Sequence, residues 1–247
     1  MAADMPGSSV QVVETIPLRS DLPLPASDAL ARLYRNALLE ADTYIYIEDQ
    51  YFTPDFRDTD AGRHSVAESE NILPLLIEAL SRGVYVIILM PTPYAAGWSL
   101  ADRITVRRRD AALRELLAQP GADHCLLLHY SLPTHSIYIH SKLLLCDDSF
   151  MLLGSANVNR RSMRTDFEIG VGVVDPLLIR SIRIRLWAEH AGLSGSHYGS
   201  TGYTSLEPMI QQLRASDRLT QYIPGQRGGK LSGLDCWLAD RFIDPVR

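Results

Sequence analysis

Tyr138-Ile139-His140-Ser141-Lys142-Leu143-Leu144-Leu145-Cys146-Asp147-Asp148-Ser149-Phe150-Met151-Leu152-Leu153-Gly154-Ser155-Ala156-Asn157 holds two apolar runs, Lys142 to Cys146 and Phe150 to Leu153, with Asp147-Asp148-Ser149 between them. Short apolar runs joined by turn residues read as a β-hairpin. A third run, Glu168 to Val174, follows closely. Upstream the order is different. Leu30, Leu33, Tyr34, Ala37, Leu38 and Ala41 recur at helical spacing behind a capping Ser27 or Asp28, and the strand-like Tyr44 to Ile47 comes next. Asn71 to Ser81, closed by Arg82-Gly83, precedes the run Val84 to Leu89. A helix from about Ala101 to Ala118, ended by Pro120-Gly121, precedes Cys125 to His129. Three helix–strand steps followed by a hairpin predict an α/β fold whose mixed β-sheet is flanked by helices. Val10 to Ile16 supplies a short strand at the start, and Pro176 opens a helix reaching about His190. The pattern divides the chain into a unit over 1–192 and a C-terminal appendage over 193–247 that packs on it.

Composition narrows the classes. The 247 residues carry 24 Lys plus Arg against 29 Asp plus Glu, a net charge of −5, and are 46% apolar and 21% charged. That excludes a disordered chain, a coiled coil and collagen, and leaves room for a sizeable core. An acidic balance argues against tight nonspecific binding of nucleic acid, so such a partner is less expected than a lipid or another phosphodiester. The sequence has no run of eighteen apolar residues, and its opening MAADMPGSSVQ is neither basic nor hydrophobic. The expected location is therefore cytoplasmic, which is compatible with peripheral contact with a membrane. Cys125, Cys146 and Cys236 fit neither a disulfide framework nor a CxxC metal site, so reduced, buried thiols are expected.

Of the 24 cations 22 are arginine, and only Lys142 and Lys230 are lysine. A lysine in such a chain points to a place that wants a compact ammonium. Alternation along a strand sends His140 and Lys142 to one face, an imidazole beside an ammonium. Burying that ammonium costs several kcal/mol unless an anion accompanies it, and a phosphate would supply one. Gly154-Ser155-Ala156-Asn157 follows with a backbone N–H, a hydroxyl and a carboxamide, all donors suited to phosphoryl oxygens. The composition of this cluster predicts a site for a phosphodiester. A neutral imidazole is a competent nucleophile toward phosphorus, and its second nitrogen wants an acidic partner, for which Glu168 or Asp166 is available.

At these residues the sequence resembles the phospholipase D superfamily, whose signature is His-x-Lys, four residues, Asp, six residues, Gly-Ser-x-Asn. His140, Lys142, Asp147, Gly154, Ser155 and Asn157 complete it. Six fixed residues at about 5% usage each coincide by chance with a probability of roughly 10⁻⁸ per start position. Tyr44 to Phe52 resembles the strand and loop entering the second half of two-motif phospholipases, including cardiolipin synthase-like proteins, and Leu186 to His190 resembles the helix after that half's motif. The resemblance implies a phosphohistidine at His140, phosphoryl oxygens held by Lys142 and Asn157, assistance from Ser155, and an imidazole oriented by Glu168. Asp147 completes the motif but stands at a strand end, where a structural hydrogen-bonding role is expected. No metal and no cofactor is implied.

The family uses two motifs and this sequence holds one, since Lys230 has no histidine two residues before it. In-line displacement needs a nucleophile on one side of phosphorus and an acid on the other, which one imidazole cannot supply. The expectation is a homodimer, or a separate N-terminal half that bears the second motif, with the monomer inactive. Cleavage or transfer of a phosphatidyl group is expected. The alternatives are a homodimeric nuclease using the same residues and a catalytically silent subunit. Bland readings are preferred elsewhere: hydrogen-bonding roles for His124, His129 and His135, a solvated helix face for Arg107-Arg108-Arg109 paired with Asp110 and Glu115, and close backbone packing for Gly170-Val171-Gly172. Tyr51, Phe52, Tyr94 and Trp98 read as local packing more than as an acyl-chain groove. Glu48, Asp49 and Gln50, ending an apolar strand, are as compatible with lining a site as with a structural role.

Overall fold

The computed structural model describes residues 7–18, 21, 23–56, 71–91, 100–132, 137–193 and 205–225, apart from the side chains of 100–104. Apolar runs in the sequence become eight strands: β1 (Ser9–Thr15), β2 (Tyr44–Asp49), β3 (Tyr85–Leu89), β4 (Cys125–Tyr130), β5 (Lys142–Cys146), β6 (Phe150–Gly154), β7 (Glu168–Val174) and β8 (Leu219–Gln221). They form one sheet in the order β1-β7-β6-β5-β2-β3-β4-β8. β2, β3 and β4 run parallel, as the repeated helix–strand steps require, while β5, β6 and β7 are antiparallel to their neighbours. The sheet is mixed, as expected.

Helices α1 (Ala29–Glu40), α2 (Leu73–Ser81) and α3 (Leu100–Leu117) cover one face, where Leu38, Ile45, Ile47, Leu76, Val86, Ile88, Leu113 and Leu144 share a core. A short helix, α4 (Arg160–Arg164), follows β6. On the other face α5 (Pro176–His190) and α6 (Leu206–Ala215) bury Ile179, Trp187, Met209 and Ile210 against Tyr44, Tyr46, Ile87 and Leu145. Alternation along each strand assigns residues to the two layers. Pro176 at the start of α5 and the Asp175 side chain accepting from Leu178 N, 3.0 Å, bear out the expected helix start. Within the stretch read as an appendage, α6 and β8 join the same architecture, with β8 pairing β4 at the sheet edge. Among the described residues no helix is long and apolar enough to cross a membrane.

The β5–β6 hairpin turns on Asp147 and Asp148, both in the left-handed region with φ 56° and 54°. Ser149 N donates to Cys146 O at 2.9 Å, and with Cys146 paired to Phe150 the connection is three residues long, Asp147 and Asp148 being the two central residues of its turn. The unusual conformation is held from outside. Asp147 accepts from Asp42 N (2.7 Å), Thr43 N (2.9 Å), Thr43 Oγ1 (2.7 Å) and Tyr44 N (2.8 Å), which seats the start of β2. Asp148 receives a two-pronged donation from buried Arg183 on α5, at 2.6 and 2.8 Å, and Tyr44 OH at 2.8 Å.

Two expectations about surroundings change. Arg109 and Asp110 are not on a solvated helix face: both are buried, and Tyr222 OH donates to Asp110 while Arg109 lies 4.9 Å from the Tyr222 ring centroid. The helical period turns two of four consecutive charged residues inward, toward the C-terminal segment. Gly170 and Gly172 are packed against side chains, where an added Cβ would meet Leu152 at 3.1 Å and Leu33 at 2.9 Å, and the close backbone approach is at Gly154, where a Cβ would stand 2.3 Å from Ile169 O. Cys125 and Cys146 are free and buried, and Cys236 lies outside the described residues. Asp147→Ala removes four hydrogen bonds and a residue tolerant of positive φ, so unfolding in urea is expected to show a loss of about 2–4 kcal/mol. A loss within experimental error would disprove the seating role.

Candidate active site

β2 and β6 end, and β5 and β7 begin, at one edge of the sheet, because antiparallel neighbours bring opposite termini together. This is also the C-terminal edge of the parallel strands, the usual place for a site in an open α/β sheet. Register sets Asp49 of β2 directly opposite Lys142 of β5. The Lys142 ammonium donates to Gln50 Oε1 at 2.7 Å and to His140 O at 2.8 Å, and Gln50 Nε2 donates to Tyr138 OH at 2.9 Å. Lysine and glutamine thereby fold the segment entering β5 against the end of β2. His140 stands before the first strand pair, exposed, with its ring 6.4 Å from that of Tyr138. Burial draws the Lys142 pKa down, against the opposing pull of Asp49 and Glu168.

The Gly-Ser-x-Asn turn leaves β6 beside this cluster. Val158 N donates to Asp49 Oδ2 at 2.8 Å and Thr53 N donates to Val158 O at 2.8 Å, tying the turn to the end of β2. Ser155 Oγ donates to Glu168 Oε2 and accepts from Ile169 N at 3.1 Å. Asn157 presents a buried carboxamide oxygen without a hydrogen-bond partner among the described residues. Below Lys142, a cavity of about 10 Å³ lined by Tyr34, Asp49, Gly154 and Val158 has room for a single water.

Lys142, Ser155 and Glu168 thus lie together at this edge, with His140 exposed ahead of β5. Two expected placements are corrected. Within this chain the Glu168 carboxylate is taken by Ser155, not by the His140 ring, because β7 delivers it to the turn after β6. Asp166 is paired with Arg161 at 3.0 Å and does not serve the imidazole. Asp147 lies at the far end of β5, a full strand from Lys142, in the structural role its strand-end position suggested.

Glu48, Asp49 and Gln50 resolve into distinct parts. Gln50 holds Lys142, and Asp49 holds the turn while lying opposite that lysine. Glu48 faces the other side of the sheet, where Ser141 and His190 reach it. Tyr138, Ser141 and His190 were not legible as site residues, since their partners come from strands and helices far away in sequence. The polar trio ending an apolar strand was the available signal. His124 and His129 make ordinary bonds to Gly83 O and Tyr130 O at 2.8 and 3.1 Å, and His135 lies outside the described residues. Phe52 is buried, in keeping with local packing, whereas Tyr94 and Trp98 lie outside the described residues. No group of histidine, cysteine or carboxylate side chains able to hold a metal occurs among the described residues.

Comparison with known proteins finds the family described as cardiolipin synthase, PLD-like domain, matching residues 34–187, more than half the chain. Phospholipase D zeta 1 of Arabidopsis thaliana is 26% identical over 227 residues, covering 74% of this chain and 21% of that protein. Phospholipase D delta of the same plant is 27% identical over 233 residues, covering 71% of this chain and 26% of that protein. The chain therefore spans about a fifth to a quarter of the length of these relatives. Among solved structures, phosphatidylserine synthase of Haemophilus influenzae superposes with a TM-score of 0.53 at 13% identity, covering 96% of this chain and 46% of that one.

Burial pushes the Asp49 carboxyl up to about 7, against the hydrogen bonds from Val158 and Tyr51 and the nearby Lys142 charge. An unfolded carboxyl titrates near 4, so between about pH 4 and 7 the folded state binds more protons and this residue's contribution to stability falls as pH rises. Asp49→Asn is expected to remove that fall. In urea unfolding at pH 4.5 and 7.5, the difference between variant and parent should move in the variant's favour at the higher pH. A difference independent of pH would show that Asp49 titrates normally.

Proposed function

The chain belongs to the phospholipase D superfamily, and from that premise we propose that it cleaves or transfers a phosphatidyl group through a phosphohistidine at His140, with a second His-x-Lys unit completing the site. The observation that carries this reading is an exposed imidazole whose own backbone carbonyl is held by the neighbouring ammonium of Lys142. That bond fixes nucleophile and cation relative to each other while leaving the ring open to substrate. In this reading residues 1–192 form the catalytic unit, and α6 and β8 of the stretch 193–247 pack on it.

A ring nitrogen of His140 attacks phosphorus, forming a P–N bond as the P–O bond to the leaving alcohol breaks. The leaving oxygen takes a proton from the second unit's imidazolium. Water, or another alcohol in a transfer reaction, then attacks phosphorus, loses its proton to that imidazole, and expels His140. Lys142 neutralises the phosphoryl oxygens, and the N–H groups of the Asn157 carboxamide donate to them. Ser155, bonded to Glu168, keeps a carboxylate at the rim. Asp49 and Glu168 oppose the burial that lowers the Lys142 pKa, and its hydrogen bonds go to neutral oxygens, so the ammonium remains available to an anion.

Turnover of a short-chain phosphatidylcholine is the direct test. His140→Asn is expected to reduce it by roughly 10⁴-fold or more. If a second copy of this chain supplies the partner, specific activity rises with concentration as sedimentation shows dimers. Reassociating equal amounts of parent and His140→Asn then leaves roughly a quarter of the dimers active. Full activity in a sedimenting monomer would overturn the requirement for a second motif, and cleavage of single-stranded DNA in place of lipid would overturn the substrate class.

A further inference from the structure

The residue between the histidine and the lysine of the motif is the one that alternation sends to the opposite face of the sheet. There Ser141 Oγ donates to Glu48 Oε2. The other oxygen of that carboxylate accepts from Tyr46 OH at 2.7 Å and from His190 Nε2 at 2.9 Å. Glu48 and His190 are each only 5% exposed. A carboxylate at Nε2 requires a proton to sit there, and His190 Nδ1 is hydrogen-bonded to Tyr130 OH on β4. The backbone of His190 is secured in turn, its carbonyl accepting from Ser216 Oγ at 3.3 Å.

A buried carboxylate survives only where its lone pairs are satisfied. Burial alone would raise the Glu48 pKa, but the bonds from His190, Ser141 and Tyr46 outweigh it and the group stays ionised. The anion is therefore fixed by three donors from β2, from the end of α5 and from the segment entering β5. That segment needs fixing. Strand pairing of β5 begins at Lys142, leaving His140 and Ser141 ahead of it, and the bonds of Lys142 and Gln50 hold it from one face only. The Ser141–Glu48 bond holds it from the other.

We infer that Glu48, locked by His190 and Tyr46, is a positioning residue for the reaction, and that it sets the place of His140 and Lys142 through the Ser141 hydroxyl. This rests on the reading of His140 and Lys142 as the reacting pair. Neither Glu48 nor His190 touches substrate; their action passes through one hydrogen bond. It follows that the helix end at His190 and the segment carrying Ser216 contribute to the geometry of a nucleophile on the opposite side of the sheet.

Ser141→Ala cuts the link and leaves the Glu48–His190 pair intact, whereas Ser141→Thr keeps a hydroxyl. In the chain assembled with its second unit, Ser141→Ala is expected to lower kcat roughly tenfold with KM within about twofold. Ser141→Thr should restore most of the loss, with the melting temperature of both variants close to that of the parent. Ring ¹H–¹⁵N signals of His140 should shift or broaden in Ser141→Ala and return in Ser141→Thr. Parent-like kcat in Ser141→Ala, or equal losses in both variants, would overturn the inference. If the parent itself shows no phosphodiester turnover, the proposed function fails. The His140 signals then still decide the positioning claim, unchanged signals in Ser141→Ala refuting it.

Discussion

Antiparallel pairing of β2 with β5 places Asp49 opposite Lys142, and most of what distinguishes this protein depends on that register. A slip by one residue would turn every side chain of one strand to the other face. Lys142 would then point at α5, away from Gln50 and from the turn after β6, and Ser141 would leave Glu48. The core guards against such a slip. Leu144 and Cys146 lie in the layer under α1 while Leu145 lies in the layer under α5, so a shift would empty positions in both. The same burial that stabilises the sheet thus fixes where the charges stand.

The two ends of β5 divide the labour. At the turn end, Asp147 and Asp148 bind the start of β2 and Arg183 of α5, and their negative charge is spent on fold-holding donors. At the site end, the charges are less completely matched. The ammonium of Lys142 is held by an amide oxygen and a carbonyl, both neutral, with Asp49 and Glu168 acting at a distance. A cation solvated by neutral dipoles keeps its attraction for an incoming anion, while one closed into a tight ion pair would lose most of it. Lysine suits this place because a compact ammonium can meet several acceptors from one point, which the planar arginine fork cannot.

An acidic net charge is compatible with the anionic substrate proposed above. The net charge of −5 belongs to the whole chain, whereas binding a phosphodiester depends on the local field at one edge of the sheet. There the buried carboxylates are each occupied, Glu48 by three donors and Asp49 by two backbone N–H groups. Occupied acids repel a phosphate far less than open ones would, because their lone pairs point at donors within the protein.

The sequence by itself determined the kind of fold and the kind of chemistry. Helix spacing followed by apolar runs forced the parallel half of the sheet, Asp147-Asp148 forced the hairpin, and the spacing of His140, Lys142, Ser155 and Asn157 identified the family. These are local signals, written in periods of two or 3.6 residues and in fixed short gaps. Tertiary structure alone decided the partners: that Glu168 joins Ser155, that Arg109 turns inward to Tyr222, that β8 closes the sheet edge, and that Ser141, Glu48 and His190 meet although 142 residues separate the last two. Such pairs follow from which strand lies beside which and in what register. That is settled by burying both faces of the sheet at once, a condition on the whole chain that no short stretch of it can express.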